Sequence, residues 1–145
     1  MNREIKFRAW DKENKIMGSV ILLDWTFFTR VGLNGGDILQ FSDVELMQYT
    51  GLKDKNYTDI YEGDIVKAND YIGVVKYGEF DIEKMLSEQS EEIAELLICT
   101  SSYGLYIAFQ DGTEYLLDNN TEEWLEVIGN IYENPELLKV CSSNT

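Results

Sequence analysis

The stretch DIYEGDIVKANDYIGVVKYGEF, residues 59–80, decides the fold class of this 145-residue chain. It contains two apolar runs with β-branched residues, which favour strands: Ile65, Val66, Val74 and Val75. Asn69 and Asp70 stand between the two runs, and residues of these types form tight turns. The pattern therefore predicts two strands that are joined by a short turn.

A tight corner is predicted immediately before the first of these strands. Gly63 can supply a positive φ at little steric cost. Asp64 can accept hydrogen bonds from nearby backbone N–H groups and so fix the corner. A corner, a strand, a turn and a second strand are typical of a small SH3-like or partly open barrel built from antiparallel hairpins. Such a fold carries no function by itself.

The flanking segments extend this interpretation to a mainly-β fold with minor α. Alternating apolar and polar residues at the start predict an N-terminal hairpin over about 4–28. Asp111 and Gly112 form the structural turn of another predicted hairpin. A last strand is expected over 125–132, which completes a barrel-like part of about 59–132.

Two short helical turns are expected outside the strands. Ser42 and Glu45 have the spacing of a capping box, so a helical turn that ends at Gly51 is predicted there. Pro135 follows Asn134, and this pair is typical of the first residues of a helix. A short C-terminal helical turn is therefore predicted.

The pattern changes after the quoted stretch. Over residues 80–97 apolar residues recur at helical spacing and carboxylates occupy the other face, which predicts one inserted acidic helix. The outward carboxylates are the candidate partner surface: Glu83, Glu88, Glu91, Glu92 and Glu95. The whole chain is expected to form a single domain over residues 1–140, followed by a flexible tail at 141–145.

The charge and the histidine content exclude several functions. There are 12 basic and 27 acidic residues, and the net charge of -15 repels nucleic-acid phosphates and anionic lipids. Neither direct nucleic-acid binding nor membrane binding is expected. Histidine, the commonest general base and zinc ligand, is absent from the sequence. No apolar run has the length of a signal peptide or a membrane span, so a cytoplasmic location is expected.

No catalytic residue, cofactor-binding residue or metal ligand is predicted. Asp54, Asn56 and Thr58 have the first spacings of a calcium-binding EF-hand loop. The glycine and the final glutamate that such a loop requires are replaced by Asp59 and Ile65. We therefore expect no cofactor and no dedicated metal site.

Three longer blocks span residues 7–138: FRAWDKENKIM, then LMQYTGLKDKN with IYEGDIV, then EVIGNIYENPELL. In this order they resemble the YopX-like family of phage and prophage proteins. The resemblance implies a small mainly-β protein that is encoded by a bacteriophage or prophage, and it implies no particular activity. Members of the family often have Asn-Gly where this chain has Asn56-Tyr57, so a looser loop is expected there.

These features favour a non-enzymatic accessory protein that binds another protein in the cytoplasm of a bacterial host. The expected partner is a host or phage protein, and both a basic protein and a second copy of the chain are left open. One alternative is an acidic mimic of DNA that inhibits a host nucleic-acid enzyme, for which the predicted carboxylate row argues. A third hypothesis is a carboxylate-metal hydrolase.

Overall fold

A computed structural model describes residues 4–26, 29–80 and 102–139. The chain divides into two compact units, residues 1–51 and residues 52–145. The described strands form two antiparallel sheets that do not close into a barrel. The prediction of a mainly-β fold with minor α is confirmed, and the expectation of one domain over residues 1–140 stays a prediction.

The first unit is built from strands, which are β1 (Phe7–Asp11), β2 (Ile16–Asp24), β3 (Arg30–Leu33), β4 (Ile38–Gln40) and β5 (Val44–Lys53). The last two residues of β5 lie beyond the boundary of this unit. The second unit adds strands and two short helices, which are β6 (Asp59–Tyr61), β7 (Asp64–Ala68), β8 (Tyr71–Phe80), β9 (Ser102–Phe109), β10 (Glu114–Leu116), α1 (Thr121–Trp124), β11 (Glu126–Asn130) and α2 (Glu136–Lys139). One sheet has the order β4-β3-β2-β1-β5-β6, and the other has the order β10-β9-β8-β7-β11.

Each unit has its own apolar core. Four buried residues form the core of the first unit: Ala9, Val31, Leu33 and Val44. Seven form the core of the second unit: Ile60, Val66, Ala68, Val75, Ile107, Leu117 and Leu125. Four of these seven come from residues 59–80. This stretch therefore contributes more than half of the described core residues of the second unit, whose burial drives folding.

The prediction of a helical turn that ends at Gly51 is correct only for its first residues and wrong for the rest. A 3-10 turn covers Phe41–Asp43, and β5 begins directly after it. β5 pairs with β1 from Phe7 opposite Gln48 to Asp11 opposite Val44. Strand pairing and the burial of Val44 outweigh the local capping signal, as tertiary context often does.

Candidate functional site

The first sequence block forms a turn around a buried carboxylate. Asp11 ends β1, and its Oδ1 accepts hydrogen bonds from the backbone N–H groups of Glu13 at 3.0 Å and Asn14 at 3.1 Å. Its Oδ2 accepts one from the Asn14 side-chain amide at 2.8 Å. These bonds, that of the Asn14 side chain above all, hold the pKa of Asp11 below its ordinary value. The carboxylate thus fixes the β1–β2 turn.

The middle block is organised by a second buried carboxylate, that of Asp54. Its Oδ1 accepts hydrogen bonds from the backbone N–H groups of Asn56 and Thr58, both at 2.9 Å. Its Oδ2 accepts one from the N–H of Val127 at 2.8 Å. Asp54, Asn56 and Thr58 have the spacing of a calcium-binding loop. In the structure, the carboxylate of Asp54 instead accepts hydrogen bonds from backbone N–H groups, including those of Asn56 and Thr58.

The prediction of a looser loop at Asn56-Tyr57 is wrong. The N–H of Tyr57 donates to the carbonyl of Asp54 at 2.9 Å, and the N–H of Asp54 donates to the carbonyl of Thr58 at 2.9 Å, so the turn is closed. Tyr57 has φ 60°, the left-handed conformation that glycine adopts most easily.

The same loop is anchored to the segment that contains α1 and β11. The N–H of Lys55 donates to the carbonyl of Leu125 at 2.9 Å. The hydroxyl of Thr121, which is buried, donates to the carbonyl of Lys53 at 2.8 Å. With the bond to Val127, these contacts hold the loop at three points.

Of the predicted turn residues, Gly63 lies between β6 and β7, and Asp64 is the first residue of β7. Gly63 has φ 85°, its N–H donates to the carbonyl of Val75 at 2.8 Å, and its carbonyl accepts from the N–H of Ile131 at 2.9 Å. Asp64 is buried, and its Oδ2 accepts from the N–H of Tyr61 at 2.8 Å. Both residues therefore contact backbone groups: Gly63 contacts those on β8 and directly after β11, and Asp64 contacts one on β6.

The other predicted turn residues, Asp111 and Gly112, lie between β9 and β10. The Oδ1 of Asp111 accepts hydrogen bonds from the hydroxyl of Thr113 at 2.6 Å and from its backbone N–H at 2.9 Å. These bonds, the hydroxyl first, hold the pKa of Asp111 below its ordinary value. Gly112 has φ 94°, and its N–H donates to the carbonyl of Phe109 at 3.0 Å.

The last block contains two framework residues that sequence reasoning missed, Gly129 and Asn130. The buried Asn130 side chain accepts hydrogen bonds from the N–H groups of Tyr132 at 3.0 Å and Glu133 at 2.8 Å. A Cβ at Gly129 would lie 2.6 Å from the Oδ1 of Asn134, which leaves no room for a side chain. The signal was available, since Asp or Asn two or three residues before a turn residue often binds its N–H.

The predicted partner surface on the acidic insertion cannot be placed, because its five residues, Glu83, Glu88, Glu91, Glu92 and Glu95, lie outside the described residues. The helix predicted over 80–97 and the tail at 141–145 also lie outside them.

A two-stranded ribbon extends from the sheet of the second unit. β8 and β9 pair continuously from Gly73 opposite Phe109 to Phe80 opposite Ser102. β7 pairs with β8 only as far as Val74, and β10 pairs with β9 only over 106–108. Residues 76–80 and 102–105 thus extend beyond the neighbouring strands.

One face of this ribbon exposes two tyrosines and a glutamate. In the pleat, Tyr77 and Glu79 point to the same face as Val75, and Tyr103 is the cross-strand partner of Glu79. Tyr77 is 66% exposed and Tyr103 is 72% exposed. Tyrosine is among the residues that are enriched at protein–protein interfaces relative to the rest of the surface. We call Tyr77, Glu79 and Tyr103 the ribbon face.

A separate polar cleft of about 320 Å³ lies on the second unit. Its walls are formed by six residues: Lys55, Lys67, Asn69, Glu123, Trp124 and Glu126. Lys55 Nζ lies 3.6 Å from Glu126 Oε2, so part of the charge is neutralised within the cleft. The volume is at the lower end of the range of ligand pockets, about 300–1,000 Å³. Within residues 4–26, 29–80 and 102–139, no group of three His, Cys, Asp or Glu side chains is arranged to hold a metal ion.

The charge of the chain is divided unequally between the two units. Residues 1–51 contain six basic and seven acidic residues, a net charge of -1. Residues 52–145 contain six basic and 20 acidic residues, a net charge of -14. Almost all of the negative electrostatic potential therefore originates from the unit that carries the ribbon face.

The family model described as YopX protein matches residues 6–139. The chain belongs to the YopX family. The sequence resemblance is thereby confirmed over nearly the whole chain, and the residues that carry the resemblance include the buried Asp11, Asp54 and Asn130.

Among solved structures, the chain is similar to the crystal structure of protein EF1440 from Enterococcus faecalis. The two are 25% identical, with a TM-score of 0.55, and the match covers 94% of this chain and 99% of that chain. No curated protein matches. Among the described residues of this YopX-family chain, no helix is long and apolar enough to cross a membrane.

Proposed function

We propose that this YopX-family chain is a non-enzymatic protein-binding module whose second unit recognises a basic segment of a host or phage protein through the ribbon face. The observation that carries the proposal is the combination of Tyr77, Glu79 and Tyr103 on one exposed face within a unit of net charge -14. The phage or prophage origin, which the family resemblance implies, and the bacterial cytoplasm, which the sequence led us to expect, are part of this proposal.

The ribbon face has the chemistry that arginine and lysine side chains bind. A cation over the ring of Tyr77 or Tyr103 gains about 0.5–1 kcal/mol at an exposed site. The carboxylate of Glu79 can accept two hydrogen bonds from one guanidinium group. The surrounding negative charge attracts a basic segment over longer distances and increases its association rate. The cation–π contact, the hydrogen bonds to Glu79 and the long-range attraction all favour binding of a basic segment to the same face.

The roles of the buried carboxylates support a function without catalysis. Asp11, Asp54 and Asp64 each accept hydrogen bonds from backbone N–H groups. A general acid or base must instead lie within reach of a substrate proton. These side chains at the centre of the sequence blocks stabilise turns, and the proposal places the partner on the exposed ribbon face.

A capture experiment tests the proposal. The full chain is immobilised and exposed to bacterial lysate beside the double variant Tyr77→Ser/Tyr103→Ser and the control Tyr57→Ser, whose tyrosine is comparably exposed elsewhere on the unit. We expect a protein that the parent and the control retain and the double variant loses. The captured protein is then purified, and its affinity for each variant is measured directly.

Salt dependence gives a second measurement. Screening between exposed charges increases as the Debye length falls from about 10 Å at 0.1 M salt to about 3 Å at 1 M. The purified partner should therefore bind more weakly at high salt. Equal affinity for the parent and the double variant would refute the ribbon face as the binding surface.

The acidic-mimic hypothesis is the second candidate, and the charge of -14 on one unit favours it. It requires the captured partner to be a nucleic-acid enzyme, and duplex DNA should displace the chain from that partner. A basic partner from which DNA does not displace the chain would support simple protein binding instead.

A further inference from the structure

The first unit has surface properties opposite to those of the second. Its net charge is -1, and several large apolar side chains on its strands are exposed. Two copies of the chain repel each other through their second units, whereas the first units can approach with little electrostatic cost. Any contact between copies is therefore favoured on the first unit.

The exposed apolar side chains form a row on one face of the sheet. Leu22 on β2 is opposite Gly32 on β3, and Gly32 is opposite Ile38 on β4. A Cβ at Gly32 would lie 2.9 Å from the Cβ of Leu22, so Leu22 lies closely over this glycine. Ile38 is 57% exposed, and Leu22 is also exposed. The row thus runs across three strands to β4, the edge of the sheet.

The β4 edge differs from the other edges of the two described sheets. β6 contains Asp59, β10 contains Glu114 and β11 contains Glu126, and β11 also has an irregular register after Val127. Charges and bulges at an edge prevent pairing with another chain. β4, with the sequence Ile-Leu-Gln, contains neither a charge nor a proline.

The backbone N–H and C=O groups of β4 are also oriented so that they can pair with another strand at the open edge. The N–H of Leu33 donates to the carbonyl of Asp37, and the N–H of Phe41 donates to the carbonyl of Thr29. Because hydrogen-bonded positions alternate along an antiparallel ladder, Leu39 bonds towards β3. Residues 38 and 40 then direct their N–H and C=O groups towards the open edge of the sheet.

From these observations we infer that two copies of this chain associate through the β4 edge of their first units. Antiparallel pairing of β4 with its copy places the same patch on both partners, as a two-fold axis requires. Ile38 of each copy then packs beside the pair, and the row with Leu22 contributes further apolar surface. This self-association is independent of the partner proposed for the ribbon face.

Sedimentation equilibrium of the full chain, from micromolar to submillimolar concentrations, tests this inference. Ile38→Lys places like charges at the paired edge and should raise the dimer dissociation constant by at least about tenfold. Ile16→Lys is the matched control, because Ile16 is 58% exposed in the same unit but lies on β2, where it pairs with Asp11 of β1, and not on the β4 edge. The control should leave the dissociation constant within about twofold of the parent value.

Amide exchange of the unmodified chain gives a readout that needs no variant. The N–H groups of residues 38 and 40 should exchange more slowly as the protein concentration rises. A parent chain that stays monomeric over the whole concentration range would refute the inference. Equal dimerisation of the Ile38→Lys and Ile16→Lys variants would also refute the β4 edge as the interface.

Discussion

Asp54 Oδ2 accepts a hydrogen bond from the N–H of Val127 at 2.8 Å, which joins residues 73 positions apart in the sequence. The other oxygen of the same carboxylate holds the N–H groups of Asn56 and Thr58. One buried side chain therefore closes its own loop and attaches that loop to β11. This relationship gives the middle and last sequence blocks a shared structural role, because a side chain of one block holds the backbone of the other.

Removing the charge of Asp54 should destabilise the fold. Asp54→Asn keeps the size of the side chain but replaces one acceptor oxygen with an NH2 group, which leaves at least one buried N–H without a partner. Hydrogen bonds to charged groups and unsatisfied buried donors each account for about 1.5–3 kcal/mol, so a loss of roughly 2–4 kcal/mol is expected. Chemical denaturation measures this free energy of unfolding.

The control for this prediction is Asp118→Asn. Asp118 accepts a hydrogen bond from the N–H of Asn120 at 2.9 Å, and this bond is exposed. An exposed substitution of this kind should change stability by no more than about 0.5 kcal/mol. Similar losses in the two variants would show that Asp54 has no special structural role.

Gly63→Val should lower the free energy of unfolding by about 1–3 kcal/mol, because a β-branched residue is strained at positive φ. Gly63 has φ 85° and contacts both β8 and the segment after β11 through its backbone. Gly104→Ala is the control, since a Cβ there meets only Phe80 Cε1 at an ordinary 3.8 Å. Coincident thermal melts of the Gly63→Val variant and the parent would contradict the strained corner.

Tyr57→Gly should stabilise the chain, which is unusual for the removal of an aromatic side chain. A tyrosine at φ 60° bears a steric cost of about 1–2 kcal/mol that glycine avoids, although glycine loses more backbone entropy on folding. Because Tyr57 is largely exposed, little packing is lost. We expect a net gain of roughly 0.5–1 kcal/mol in a denaturant titration, and a loss of stability would show that the ring makes stabilising contacts.

The acid stability of the first unit should depend on Asp24. Hydrogen bonds from Thr26, its hydroxyl first, and from Arg30 lower the pKa of Asp24 from 3.8 to about 2. A carboxyl with a depressed folded pKa stabilises the fold above its ordinary pKa, and this contribution is lost as the pH falls from about 4 to about 2.

Carboxyl NMR titration measures this pKa directly. Thr26→Ala removes the largest contribution and should move the midpoint of Asp24 towards 3.8. Arg30→Ala should move it in the same direction, because it removes both a hydrogen bond to the carboxylate and the attraction of the guanidinium charge. An unchanged midpoint in both variants would disprove the assigned cause.

The sequence predicted the mainly-β class because its signals were local. β-Branched residues such as Val66 and Val75 mark strands, and Gly63 and Gly112 take positive φ at the corners where they were expected. The prediction failed at β5, where a local capping signal competed with strand pairing to β1. The role of Asp54 could not be predicted, because the N–H of Val127 becomes its partner only after the chain has folded.

The binding of a basic segment at the ribbon face is tested most directly by NMR titration of the isotope-labelled chain with a synthetic arginine-rich peptide. The largest amide shift changes are predicted at residues 76–80 and 102–105, and they should decrease in the Tyr77→Ser/Tyr103→Ser variant but not in Tyr57→Ser. Changes centred on residues 4–51, or spread evenly over the second unit and unaffected by the double variant, would contradict the proposed surface.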